Sequence, residues 1–306
     1  MSTFANMLNL LYTYFITDIL PLRSSLLIDL ITTMARLTSQ NGFPNLGNPS
    51  QIWAIPAIHS AAEDLTLLHD SILRNIKAGD RIVYLGNYTG YGETAIDSIN
   101  ELLAFRRLVL SIPGVIPSDI IYLKGIQEEM LSKLLQLQFA SNPSNVLLWM
   151  LGNGLGTTLT DYGICQHEGI EACRRGVMDL TRWTQNVRNK IRAHKGHQDF
   201  MMAQYRAAYT CTDNHVSPLL FVHAGVNVGK SLLQQGDSLW WESQNFEAIN
   251  TPYSPFEKVV RGYDPAHKGI NLNCVTATID DGCGFGGNLV CAGFGPHGQV
   301  SQILQN

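Results

Sequence analysis

From residue 51 onward the chain alternates short apolar runs with helix-period segments, three times in succession. Residues 52–58, 81–85 and 119–123 are strand-length apolar runs. Between and after them lie 63–77, with Leu65, Leu68, Ile72 and Ile76 on one face, and 93–110, whose stripe is Ile96, Ile99, Leu103 and the stem of Arg107. A third segment, 126–139, reads the same way. Strands joined by helices of this length become sheet neighbours as βαβ units with parallel strands, which predicts an α/β fold. Residues 165–210 read as mainly helical. The remainder is richer in glycine, with strand-like runs at 219–223, 258–260, 275–279 and 289–292. Internal repeats and low-complexity tracts are absent, so residues 51–306 are expected to form one large domain behind an addition, residues 1–50.

That addition reads as a helical extension. Leu8, Leu11, Phe15 and Ile19 fall near helical spacing, Pro21 breaks the run, and a second run covers 26–35 before a loop rich in Gly, Pro, Asn and Ser at 41–50. The alternatives are an amphipathic membrane anchor and a helical hairpin packed on the domain or on a second copy. The polar face lacks the basic residues that lipid contact needs, which favours packing or self-association over membrane contact through residues 1–35. No secretory pattern is visible, and the first run is too short and too polar for a span.

In an open α/β sheet, ligands bind beyond the carboxyl ends of the strands. The rule selects the loops at 57–60, 86–92 and 124–129, and a later one after His223. They carry Ala57, His59, Asn87, Gly90, Tyr91, Ile126, Gln127, Glu128, Glu129 and His223. Two histidines and one adjacent carboxylate pair among neutral groups are a poor inventory for a two-metal site.

Six segments, in order, make this arrangement intelligible. Ile55-Pro-Ala-Ile-His-Ser60 parallels Gly-Asp-(Ile/Val)-His-Gly, and Leu85-Gly-Asn-Tyr-Thr-Gly-Tyr-Gly92 parallels Gly-Asp-Tyr-(Ile/Val)-Asp-Arg-Gly. Leu123-Lys-Gly-Ile-Gln-Glu-Glu-Met130 stands for the Gly-Asn-His-Glu pattern, and Phe221-Val-His-Ala-Gly-Val226 matches a His-Ala-Gly motif closely. Val259-Val-Arg-Gly-Tyr-Asp-Pro265 replaces Val-His-Gly-His-Thr-Pro, and Ile279-Asp-Asp-Gly-Cys-Gly-Phe-Gly-Gly-Asn-Leu289 follows an Asp-Thr-Gly…Gly-Gly-x-Leu segment. From about residue 51 to 302 the chain resembles a calcineurin-like metallophosphoesterase of the bacterial phosphoprotein-phosphatase type, degenerate at its metal-binding motifs. The resemblance implies a layered α/β/β/α sandwich, two sheets between helices.

It also implies a catalytic inventory that this chain departs from. The family uses two divalent cations (Mn, Zn or Fe) that stabilise both oxygens of an in-line displacement. By resemblance, the first ion would be held at positions 57, 59 and 87, and the second at 87, 126 and 223 with a further histidine. Ala57 has no donor atom, Asn87 replaces the bridging carboxylate, and Ile126 replaces an amide ligand. Gln127 stands for the histidine that would protonate the leaving group, Gly90 for that histidine's acidic partner, and Tyr91 for a phosphate-clamping arginine. Tyr263 stands where the Gly-His-Thr histidine is expected. His59, His223 and the turn glycines Gly86, Gly92, Gly225 and Gly282 remain. The expectation is a pseudoenzyme without metal or other cofactor; the alternative is an active hydrolase of phosphoproteins or dinucleoside polyphosphates. His194, His197 or His215 would have to supply the missing ligand, although ordinary helix or surface histidines explain them as well.

Composition points the same way. Charged residues are 15% of the chain, against a usual share of roughly 25%. A surface so rich in neutral groups suits a scaffold, assembly subunit or regulator that covers part of it with a protein partner or a second copy. A net charge of −4 and the lack of a Lys/Arg stripe argue against nucleic acid. Six cysteines without a CxxC pair suggest free thiols in a reducing cytoplasm, and Cys165, His167 and Cys173 fit no zinc-finger spacing.

Two segments imitate other chemistries. Ala224-Gly-Val-Asn-Val-Gly-Lys-Ser231 ends like a P-loop, making Lys230 and Ser231 weak phosphate-binding candidates, but it coincides with the His-Ala-Gly motif and no acidic strand end follows. Gly152-Asn-Gly-Leu-Gly-Thr-Thr158 imitates a dinucleotide loop without the full pattern; it resembles a glycine-rich active-site loop of the bacterial relatives. Trp240 and Trp241, with Glu242 where those relatives carry arginine, read as packing residues.

Overall fold

The computed structural model describes residues 43–211 and 217–305. The helices expected within residues 1–42, and His215, lie outside the described residues. Residues 43–48 already belong to the domain, because Pro44, Leu46 and Gly47 exchange backbone hydrogen bonds with Tyr209 and Cys211. The domain therefore starts ahead of the expected boundary at residue 51.

The strand–helix alternation forms as its periodicity predicts. Strand β1 (Ile52–Ile55) leads through α1 (Ala62–Leu73) to β2 (Arg81–Tyr84), then through α2 (Ala95–Val109) to β3 (Ile120–Tyr122), all three parallel. The buried stripe of α2 differs from expectation. Ile99 is buried, but Ala95, Ser98, Leu102, Phe105 and Val109 complete the stripe, because the helix turns residue 102 rather than 103 toward the sheet. Helix α3 (Ile126–Leu134) is shorter than its run, with a 3-10 turn at Leu137–Phe139. The helical region continues through α4 (Pro143–Met150), α5 (Gly156–Asp161), α6 (Gln166–Arg175), α7 (Val177–Ala193) and α8 (His197–Met202).

The rest of the chain supplies a second sheet. Strands β4 (Ala208–Tyr209), β5 (Ser217–Val222), β6 (Phe256–Arg261), β7 (Asn271–Leu272) and β8 (Thr276–Thr278) pair in the order β4-β5-β6-β8-β7. Strands β9 (Val290–Phe294) and β10 (Val300–Gln305) return to the first sheet, whose order is β10-β9-β1-β2-β3. Each sheet is mixed: in the first, parallel β1, β2 and β3 are extended by β9, antiparallel to β1, and β10, antiparallel to β9; in the second, parallel β5, β6 and β8 lie between antiparallel β4 and β7.

Strand alternation builds two cores from the same residues. Trp53, Ile55, Ile82, Tyr84, Ile120 and Tyr122 face the helices. Ile52, Ala54, Val83, Leu85 and Ile121 face Leu219, Phe221, Val260 and Ala277 of the second sheet. The result is a layered α/β sandwich with two sheets inside. Its fourth layer is thin among the described residues: a short α9 (Ser238–Trp241) and 3-10 turns at Leu232–Gln234 and Phe246–Ala248. Phe246 there lies 4.6 Å from the buried Arg261 guanidinium.

One buried carboxylate ties the second and third βα loops together. Glu128, in the first turn of α3, accepts N–H bonds from Asn87 (2.9 Å), Tyr88 (3.0 Å) and Gly125 (2.9 Å). Burial raises its pKa, and the backbone donors offset only part of that rise. Glu128→Gln keeps the shape but replaces one acceptor oxygen with an N–H donor. It is expected to destabilise the domain by about 3 kcal/mol in urea unfolding, the scale of losing charge-assisted bonds at a buried site.

Candidate functional site

The loops selected by the strand-end rule do converge. The N–H groups of Ile58 and His59 both donate to the Asn87 carbonyl at 2.9 Å, and the Ala57 N–H donates to the Gly262 carbonyl at 2.9 Å. The ends of β1, β2 and β6 are thereby joined. His59, Ser60, Asn87 and Tyr91 all hold left-handed backbone, with φ of 51°, 63°, 56° and 60°. Residues with a β-carbon pay about 1–2 kcal/mol each for that conformation, so the hydrogen-bonded surroundings impose it.

The two retained histidines are deeply buried. His223 donates from Nδ1 to the Leu85 carbonyl at 2.6 Å, which fixes its tautomer and leaves Nε2 as a buried acceptor with no hydrogen-bond partner. Its ring stacks on Tyr263 at 5.2 Å. His59 meets the edges of Tyr91, Tyr263 and Phe285 at 5.1–5.6 Å, and its Nε2 lies 3.5 Å from the Asn87 amide nitrogen. Burial drives the His59 pKa down to about 3, with Asp280 opposing and His223 and His267 assisting. Burial likewise brings His223 to about 4, against the Leu85 bond and Asp280. Both rings are neutral at neutral pH.

Around them, positions 57, 126 and 263 close up with Ala224 into an apolar knot. Ala57, Ala224 and Tyr263 pack together, with Ile126 against them. Gln127 is tied through Nε2 to the Asn153 carbonyl at 2.8 Å, and its N–H donates to Asn87 Oδ1 at 3.0 Å. Gly90 is fitted to that side chain, because a β-carbon there would stand 2.3 Å from Gln127 Cδ. The Gly90 N–H donates to Thr158 Oγ1. Tyr91 donates its N–H to the Gly154 carbonyl. The glycine-rich Leu151–Leu155 segment therefore caps the site through main-chain bonds and shows no dinucleotide loop.

Three neighbours were not singled out from sequence. Asp280, buried beneath the histidines, accepts the N–H groups of Asp264 and Gly282 at 2.9 Å each and faces His267 Nδ1 at 3.5 Å. His267 stacks on Phe285 at 3.9 Å. Arg261 is almost fully buried, held by Thr278 (2.8 Å), the Ser243 carbonyl and Asp264 (3.3 Å). Asp280 opens a glycine-rich segment already aligned with the family's closing motif, which was a usable signal; His267 stands in no motif.

These donors do not fit a two-cation centre. Two neutral imidazoles and one amide supply no anionic oxygen, while Glu128 and Asp280 are already engaged by backbone N–H groups. Among the described residues no cluster of three or more His, Cys, Asp or Glu is arranged to hold a metal ion.

The remaining candidates lie elsewhere or change character. His197 bonds to Tyr162 (2.5 Å) and Asn100 (3.1 Å), with His194 beside it, so these two serve the helical layer. Lys230 follows a turn closed onto Asn227. Ser231 caps only a three-residue 3-10 turn, so the P-loop reading lacks its helix. Cys165 and Cys173 are free thiols. Trp240 is buried and donates to the Lys124 carbonyl at 2.8 Å. Trp241 is exposed and meets Trp149 at 5.7 Å.

The depressed histidines make stability acid-sensitive. An unfolded histidine titrates near 6.5, so below that pH the unfolded chain binds protons that His59 and His223 refuse in the fold. Their contribution is complete above pH 6.5 and is lost as pH falls toward about 4, at up to about 1.4 kcal/mol per pH unit for each. Urea midpoints should fall steeply from pH 6.5 to 5, and His223→Gln should reduce that slope by about one proton.

No protein-family model and no curated protein matches the sequence. Several solved structures share part of the backbone trace. A *Saccharomyces cerevisiae* protein serine/threonine phosphatase with similarity to human PP5 is 11% identical, with 96% of this chain and 91% of that one covered and a TM-score of 0.49. A protein provisionally described as a diadenosine tetraphosphatase is 15% identical, covering 87% and 98%, with a TM-score of 0.48. A metallophosphoesterase from *Sphaerobacter thermophilus* is 12% identical, covering 85% and 88%, with a TM-score of 0.40. Likeness at this level carries no functional weight.

Proposed function

We propose that this chain is a metallophosphoesterase-like protein without catalytic metals, working as a scaffold, assembly subunit or regulatory binding protein. The observation that carries the reading is the apolar knot at the strand ends, in which Ala57, Ile126 and Tyr263, at positions where the resemblance implies metal ligands, pack with Ala224. Two divalent ions bring four positive charges, which imidazole and amide donors do not neutralise. Without the ions, water stays near its bulk pKa of about 15.7 instead of falling to about 7. Gln127, at the position of the expected general acid, cannot transfer a proton near neutral pH and is bound to a main-chain carbonyl. The strained turns at His59, Asn87 and Tyr91 fit a framework whose geometry outlived its ligands.

The low charge fraction supports a surface used for binding, by a protein partner or a second copy. Trp149, Trp241 and Phe285 add large exposed apolar side chains. A cytoplasmic setting belongs to the same proposal; the structure adds only that no helix among the described residues is long and apolar enough to cross a membrane. The unpartnered Nε2 of His223 and Nδ1 of His59 favour the alternative, an active phosphoesterase.

Protein supplemented with manganese, then desalted, should retain well under one equivalent of metal and hydrolyse an aryl phosphate no faster than buffer. Two retained equivalents, with turnover that His59→Ala abolishes, would overturn the proposal.

A further inference from the structure

Helices α3, α7 and α8 enclose a half-open cavity of about 200 Å³. The face of α3 that lines it carries Leu131, Ser132 and Leu135 at the helix end. Ile191 of α7 and Met201 of α8 complete walls that are mostly apolar. Two guanidiniums interrupt them. Arg188 is half-buried and donates one N–H to the Leu135 carbonyl. Arg192, more exposed, donates from Nε to Gln198 at 2.6 Å. Neither pairs with a carboxylate among the described residues, a state they share with Arg74, Arg106, Arg107 and Arg206, but these two line a cavity.

The acids nearby are already engaged. Glu128 also borders the cavity, but its oxygens hold the N–H groups of Asn87, Tyr88 and Gly125. Glu129, on the same helix, is paired with Lys124 at 2.6 Å and Lys133 at 3.5 Å. Gln204, in the cavity wall, has both amide atoms buried with no hydrogen-bond partner. A buried amide left unsatisfied at both ends is costly, and a polar group brought in by a ligand relieves it.

We propose that this cavity binds a small organic monocarboxylate with an apolar body. The walls take the hydrocarbon, and the planar Arg188 fork, assisted by Arg192, takes the carboxylate. A dry cavity of 150 Å³ accommodates benzene, so this volume suits an alkyl or aryl acid of about eight to ten non-hydrogen atoms. The site meets the loops around His59 and His223 only through Glu128, and the inference does not rest on whether those loops are catalytic.

Calorimetry on the full-length protein with octanoate and with 1-octanol tests it. Octanoate should bind at least about tenfold more tightly than the alcohol, the scale of a hydrogen-bonded ion pair. Arg188→Met should weaken octanoate by about tenfold or more and leave the alcohol within about twofold. Arg192→Met, at the open rim, should weaken octanoate by about threefold or more and serves if Arg188→Met fails to fold. No octanoate binding in the millimolar range, equal affinity for the alcohol, or octanoate binding unchanged in the folded variants would each overturn the proposal.

Discussion

The convergence of the strand-end loops depends on the Glu128 carboxylate. Its two oxygens gather three backbone N–H groups, from the turn after β2 and from the start of α3. Without that anion, Asn87 and Tyr88 would present buried N–H groups to an apolar interior, a penalty that backbone structure rarely tolerates. With it, Asn87 holds its left-handed turn, and the Asn87 carbonyl in turn collects Ile58 and His59. A single buried charge thus sets the positions of residues from three segments.

Within that framework the side chains make a different kind of site from the one their motif order suggests. Gln127 lies over Gly90 and reaches the Asn153 carbonyl. Tyr263 stacks on His223 and joins Ala57 and Ala224. Each replacement fits its neighbours: where an acid and a histidine would have faced each other, a glycine makes room for an amide. A site losing ligands one at a time without repacking would leave voids or orphaned polar groups, both of which are costly. Here the apolar knot fills the middle, while His59 Nδ1, Gln127 Oε1 and His223 Nε2 stay buried without a hydrogen-bond partner.

Much of the architecture was legible from the chain. The βαβ alternation followed from apolar periodicity, and the strand-end rule found loops that do meet. Legibility ended where partners are distant in sequence. Nothing at Ala57 signals that Ala224 and Tyr263 will close over it, and nothing at Arg261 signals near-complete burial beside Asp264 and Thr278. His267 reaches the site only because the loop after β6 folds back over Phe285. The Lys230 segment erred in the other direction, since its spacing imitates a P-loop while its chain forms no helix to orient backbone donors.

By itself, the sequence determined the order of strands and helices, the two faces of each central strand, and the absence of carboxylates at positions 57 and 87. These are local properties, set by side-chain type and period. Only the tertiary structure decided that Ala57, Ile126 and Tyr263 meet in an apolar knot, that Glu128 spends its charge on backbone amides, and that Arg188 faces a cavity whose one bordering acid is that same engaged Glu128. Each of those depends on which distant segments are brought within a few ångströms, and burial and pairing are properties of that meeting rather than of any residue alone.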